Sequence, residues 1–352
     1  MKRLIICCDG TWQELSSPYP TNVVKMAQAI APEGDDKIPQ IIYYDPGVGT
    51  DDRFSDKIFG GAFGKGLDIN IMEAYRFLSF NYTPDDEIYI FGFSRGAYTA
   101  RSLAGLVNRV GILSRKNIRQ LPRSLELYRA ADLSPDSKEI VNFKKEYSSK
   151  AKISALCCWD TVGSLGVPDL IPKIGIDNLI NKKYRFHNTH LSKIVQNAFH
   201  AVAIDENREV FDVTPMEPGV NFSGRLVEKW FPGSHGCIGG GVEAAAGFSD
   251  TALTWMRDKI TSTAKLGLKI DFSRVPTGVN PSIKTKAGFD IANIKIRLFY
   301  RLMGTETRNI PNDPDLLHDS LKKLWDKNKE YRNKLRKKIL KKNRILEFLD
   351  NA

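Results

Sequence analysis

Gly92-Phe93-Ser94-Arg95-Gly96 is a G-x-S-x-G pentapeptide set between an apolar run, Ile88 to Phe91, and a helix-forming stretch, Ala97 to Leu103. Strand, sharp turn and helix in that order make a nucleophile elbow, which lifts a serine hydroxyl clear of a sheet. Ser94 is the candidate nucleophile, Gly92 and Gly96 give the turn its room, and the Arg95 amide at the helix start points at a nascent oxyanion. A serine nucleophile needs an imidazole to take its proton and a carboxylate to fix the imidazole tautomer. Asp160 and His235 follow Ser94 in the chain, each just beyond an apolar run. An unpaired carboxylate closing Leu156-Cys157-Cys158-Trp159 would be costly to bury, so Asp160 is either the partner of an imidazole or the cap of the Thr161-Val162-Gly163 turn. Asp205 is the rival acid. His235 stands ahead of Gly239-Gly240-Gly241, where the backbone can pass close to a site. His187, His190 and His200 flank or occupy a helical pattern ending at Ile204-Asp205-Glu206, and His318 lies near the C-terminus.

The second oxyanion amide in such chemistry comes from a loop after an earlier strand, and Asp9-Gly10-Thr11 fits, with Gly10 and Thr11 as donors. Asp9 either holds that loop by accepting backbone N–H groups or binds a cation. Gly60 to Gly66 is a second glycine-rich loop, read as a wall of the site. It fails the P-loop pattern, because Phe59 takes the first glycine position and Gly66 replaces the magnesium-holding hydroxyl. Cys7-Cys8-Asp9-Gly10-Thr11 likewise fails as an aspartyl-phosphate loop, since Cys7 stands where the nucleophilic carboxylate would be. The serine chemistry calls for no cofactor and no metal.

The elements that must position these groups are apolar runs at Leu4 to Cys8, Ile38 to Tyr44, Ile88 to Phe91, Ile153 to Trp159 and Leu226 to Phe231. Continuous rather than alternating apolarity predicts strands covered on both faces, hence a mostly parallel sheet flanked by helices in an α/β fold. In such sheets ligands gather at the carboxyl ends of the strands, and that is where the polar clusters fall. Helices are expected from about Leu67 to Tyr82 and after the elbow to about Val107, with a polar helical insertion around 115–149. A second, apolar insertion around 167–190 is either a lid or acyl-chain wall, or a satellite cluster packed on the domain. The 352 residues, 42% apolar and 26% charged, suffice for one large domain, placed at 1–320. No apolar run is long enough to span a bilayer, and only five apolar residues follow Met1-Lys2-Arg3 before Asp9. The expectation is a protein that is cytoplasmic in the cell producing it, exported without a signal peptide, or peripheral to a membrane. Five cysteines without C-x-x-C spacing read as small core residues, with incidental reactivity at Cys237 as the alternative.

Taken together, Cys8 to Trp12, Gly60 to Gly64, Gly92 to Arg101, Trp159 to Gly163, Ala203 to Arg208 and Trp230 to His235 resemble an α/β-hydrolase domain family that includes bacterial phospholipase effectors delivered by type VI secretion. The resemblance spans roughly residues 3 to 325. It implies an α/β-hydrolase-like fold and a lipase-type site on Ser94, Asp160 and His235, acting on a lipid ester. It also implies an immunity or delivery partner where the chain serves as an effector. The family's aspartate two residues after the histidine is Cys237 here. A soluble esterase or thioesterase and a catalytically silent binding protein on the same scaffold are the other readings.

The net charge of +11 is concentrated in the tail. From Leu321 to Arg344 there are twelve Lys or Arg against Asp326 and Glu330, so the body is close to neutral, which argues against a nucleic-acid-binding surface. Leu324, Tyr331, Leu335, Ile339, Leu346 and Leu349 recur near helical spacing, predicting a basic amphipathic helix over 321–352. Such a helix could lie on an anionic membrane, pack its apolar face on the domain, or meet a partner or nucleic acid.

Overall fold

The computed structural model describes residues 1–10, 17–47, 62–130, 132–163, 190–282 and 307–351. Six strands form the main sheet: β1 Arg3–Cys8, β2 Gln40–Asp45, β3 Glu87–Phe93, β4 Ala155–Trp159, β5 Asn197–Ala203 and β6 Arg225–Phe231. Their order is β6-β5-β4-β3-β1-β2, and every pairing is parallel. All carboxyl ends therefore lie on one edge, and Asp9, Ser94, Asp160 and the residues after β5 and β6 meet there.

Successive strand residues face opposite sides. On one face Leu4, Ile6, Ile88, Ile90 and Leu156 pack beneath α2 (Ala62–Asn81), α3 (Arg95–Val110), α4 (Leu121–Arg129) and α5 (Lys138–Tyr147). On the other, Ile5, Tyr89, Phe91, Cys157 and Trp159 meet α1 (Asn22–Ala29) and, through Leu253 and Met256, a helix after β6. Beyond β6 come the short α6 (His235–Gly239) and that helix, α7 (Ala246–Thr261). The paired cysteines split between the two faces, and all five thiols are free and buried. Burial pushes the Cys237 thiol up to about 11, which removes the incentive for reactivity there.

Two expectations are corrected. Residues 197–203 are a strand rather than part of a helix, and β5 is the link that carries β6 into the sheet. Asn197-Ala-Phe-His-Ala-Val-Ala reads as helical because alanine favours helices, but sheet neighbours on both sides override local propensity. The basic tail is three helices, α8 (Asp319–Lys327), α9 (Lys329–Lys338) and α10 (Asn343–Asp350), rather than one. Asn328 is extended, at φ −125° and ψ 100°, and its side chain caps α9 by accepting the Tyr331 N–H. Leu321, Leu324, Trp325, Tyr331, Leu335, Ile339, Ile345 and Leu349 are buried in one cluster with Val202, Ile204 and Trp230. Most of the apolar face is thus packed on the domain, while Leu340 and Phe348 of the tail are exposed. Leu317 bridges Trp230 and His318 N–H donates to the Trp230 carbonyl, covering the β6 edge. The insertion around 167–190 lies outside the described residues up to 189, as do Gly60 and Gly61 of the expected glycine-rich loop, whose remainder, 62–66, is corrected to the first turn of α2. No described helix is long and apolar enough to cross a membrane.

Candidate active site

Ser94 is the single residue between β3 and α3 and adopts φ 58° and ψ −125°, a conformation that L-residues rarely hold. Its amide donates to the Trp159 carbonyl at 3.1 Å, tying the turn to β4. A Cβ at Gly96 would collide with the Cys8 and Asp9 carbonyl oxygens, and one at Gly92 would lie 2.6 Å from the Ala97 Cα. These glycines are needed because the helix start is pressed onto the sheet. A Cβ at Gly10 would stand 3.4 Å from the Ser94 Cβ, so the loop after β1 abuts the serine.

Asp9 proves to be the peg of that loop. Its carboxylate accepts Gly10 N–H at 2.7 Å, the Thr21 hydroxyl at 2.6 Å and the Tyr44 hydroxyl at 2.9 Å. The expected use of the Gly10 amide for an oxyanion is therefore corrected: that N–H is already donated to Asp9. Thr11 lies outside the described residues. The Arg95 amide opens α3 beside Ser94, as anticipated.

His235 Nδ1 lies 2.6 Å from Asp160 Oδ2, with both side chains buried. This leaves Nε2 as the ring nitrogen available for proton transfer. The Phe93 ring, one residue before Ser94, stacks on His235 at 4.6 Å between centroids, and Phe211 approaches the imidazole at 4.9 Å. A Cβ at Gly239 would collide with the Phe93 ring, which explains a glycine in that turn. Asp160 itself sits at φ 40° and is no turn cap, because Oδ1 accepts the Ala203 N–H across the strand ends at 2.9 Å.

Two charged residues that the sequence reading missed complete the surroundings. Arg308 donates to Asp160 Oδ1 at 2.6 Å and Oδ2 at 2.9 Å, and also to the Ala203 carbonyl at 2.8 Å. Glu206 accepts the His235 backbone N–H at 3.0 Å and forms a two-pronged pair with Arg208 at 2.7 and 2.6 Å. Burial alone would push the Asp160 carboxyl up, but Arg308 and His235 outweigh it and hold it well below the usual carboxylate range. Burial lowers the His235 imidazole below its ordinary value, offset only in part by Asp160 and Glu206. Glu206 lay within the Ala203 to Arg208 segment already singled out, whereas nothing in Thr307-Arg308-Asn309 signals a role.

The rival acid Asp205 points elsewhere. Its Oδ2 accepts the Gly233 N–H at 2.8 Å and the Tyr331 hydroxyl at 3.0 Å, and Lys338 Nζ lies 3.7 Å from Oδ1. His200 is buried on β5 with Nδ1 2.9 Å from Glu228 and Nε2 3.1 Å from the Thr161 hydroxyl. His318 caps α8 and stacks on Phe231.

Fold and site define an α/β protein whose strand ends gather a strained serine, a buried His–Asp pair and two Arg–carboxylate pairs. Residues 2–259 match the family described as type VI secretion, phospholipase effector Tle1-like, catalytic domain, and the chain belongs to that family. An uncharacterized protein of Saccharomyces cerevisiae is 33% identical over 241 residues, covering 61% of this chain and 33% of that protein. A crystal structure of an uncharacterized protein from Pseudomonas aeruginosa is 17% identical, with a TM-score of 0.43 over 86% of this chain and 50% of the other. The structure of the Tle1 effector bound to the VgrG spike of the type VI secretion system is 19% identical, with a TM-score of 0.39 over 70% of this chain and 52% of the other. The chain thus spans a third to about half of the length of these relatives.

Proposed function

We propose that the protein hydrolyses a carboxylic ester of a phospholipid by a Ser94–His235–Asp160 relay. The observation that carries this reading is the 2.6 Å His235–Asp160 contact at the sheet edge that also presents Ser94 on its strained turn. His235 Nε2 takes the Ser94 proton as Oγ attacks the ester carbonyl, and Asp160 fixes the tautomer that allows this. The Arg95 N–H stabilises the oxyanion, and the imidazolium returns its proton to the leaving alcohol. Water then attacks the acyl-enzyme with His235 again as base. Family membership supports a lipid ester as substrate. Exposed Lys323, Lys327, Lys337 and Lys341 on the docked tail support contact with anionic headgroups through charge.

Product analysis on anionic phospholipid vesicles, with fluorophosphonate labelling alongside, tests the reading. Ser94→Ala is expected to lose both hydrolysis and labelling, turnover falling by about 10⁴-fold or more, with the melting transition retained. Undiminished labelling of the variant would remove Ser94 from the mechanism. Added salt should weaken vesicle hydrolysis but not that of a short soluble ester. Equal salt response on both substrates would remove the membrane contact.

A further inference from the structure

We infer that Arg308 is a positioning residue for the proposed relay: its guanidinium fork fixes the Asp160 carboxylate and cancels its charge, so that His235 stays a free base into mildly acidic solution. The inference rests on the Ser94–His235–Asp160 reading and adds a fourth member to it. Each Asp160 oxygen carries two donors. Oδ1 takes the Ala203 N–H and Arg308 Nη1, while Oδ2 takes His235 Nδ1 and Arg308 Nη2. A carboxylate gripped at both oxygens by a planar fork cannot rotate, and its remaining lone pairs stay directed at the imidazole. The fork is itself fixed by the carbonyls of Ala203 and Phe211.

The charge balance follows from the same contacts. In the usual Ser-His-Asp arrangement the carboxylate is the counter-charge of the imidazolium formed during reaction. Here that role is already taken, because Arg308 and Asp160 form an ion pair in which both side chains are almost wholly buried. The other charges about the imidazole, Glu206 and Arg208, also form a pair with each other. Asp212 adds a weaker attraction to Arg308, and the rings of Phe93 and Phe211 contribute no formal charge. The two buried carboxylates, Asp160 and Glu206, are each paired with an arginine and Asp212 is exposed, so protonating His235 adds positive charge beside ions that are already matched. The direction in which burial moves the imidazole agrees with this. The consequence is a base that is weaker but remains unprotonated at lower pH.

The test is an NMR titration of the ¹³C-labelled His235 imidazole, assigned with His235→Gln, in the unaltered protein, Arg308→Gln and Arg308→Lys. The unaltered His235 should titrate below the ordinary histidine value of about 6.5. Arg308→Gln removes the competing cation, so the Asp160–His235 pair should take up its proton about one pH unit higher, moving the acid limb of kcat/KM upward with it. Arg308→Lys keeps the charge but loses the fork. Its titration should stay near that of the unaltered protein, while kcat drops roughly ten- to a hundredfold at constant KM. An unchanged His235 titration in folded Arg308→Gln would overturn the inference. Should that variant not fold, the unaltered protein decides, because a His235 titrating at or above 6.5 sinks the idea equally. The titration needs no turnover. A protein that fluorophosphonates never label would defeat the serine reading and still leave the Arg308 question answered.

Discussion

Asp9 and Asp160 follow two buried parallel strands of one sheet, and their carboxyl groups are shifted in opposite directions. Asp9 is met by uncharged donors, one N–H and two hydroxyls, and burial pushes its carboxyl up to about 6. Asp160 is buried at least as deeply, but a guanidinium and an imidazole hold it ionised. Hydroxyl and amide donors can satisfy a carboxylate's lone pairs without repaying the desolvation of its charge, whereas a fork of full positive charge does both. Strand-end position therefore does not by itself set the state of an aspartate. The charge of its partners does.

The largest expected difference is in activity. Asp160→Asn should lose about 10⁴-fold in kcat/KM on a soluble ester, through the wrong imidazole tautomer and an uncompensated Arg308. Asp9→Asn should stay within about tenfold, because the hydroxyls of Thr21 and Tyr44 can turn to accept from an amide. Equal losses in the two variants would erase the distinction.

Asp205, two residues beyond the end of β5, tests whether a third such carboxylate depends on distant chain. Ending the chain after residue 318 removes Tyr331 and Lys338 and strips the cover from Trp230, Val202 and Ile204. The shortened protein is expected to be insoluble or to melt at least about 10 °C lower. An unchanged melting temperature would show that the tail is merely a decoration.

The smallest effect is a pH slope of opposite sign for the two residues. A carboxyl raised in the folded state contributes stability below the unfolded value near 3.8 and loses it as pH climbs through about 6. Urea midpoints should therefore show an Asp9 contribution of up to about 3 kcal/mol fading between pH 4 and 6, and Asp9→Asn should flatten that interval. Asp160, held below the ordinary range, contributes above pH 4 and loses that contribution as pH falls further. An Asp9→Asn profile as steep as that of the unaltered protein would place the slope elsewhere.

Much of this arrangement could be read from the chain, and the reasons for the gaps are physical. Apolar runs made five of the six strands legible, unbroken in the covered β1, β3 and β4 and mixed in the edge strand β6, and position alone singled out Asp160 and His235, which the structure brings within 2.6 Å of each other. β5 escaped because Ala198, Ala201 and Ala203 carry helical preference while its burial comes from strands far away in sequence. Arg308 escaped for a related reason: its meaning is its contact with Asp160, 148 residues away, and no local pattern marks such a partner. The tail showed its apolar spacing but not where it breaks, since Asn328 acts through a cap rather than through hydrophobicity. Its lysines drew attention to charge, when the neighbouring leucines and Tyr331 were the residues building core.

Because a chain is made from its amino end, the order of synthesis gives the Arg308–Asp160 contact a temporal meaning. A nascent chain that has emerged only through α6 carries Ser94, Asp160 and His235 but not the Arg308 guanidinium that the buried Asp160 carboxylate meets. Until the later segment arrives, the strand ends lack the charge that lets Asp160 enter the interior as an anion. On this reading, maturation of the site waits on residues well beyond the last member of the proposed relay.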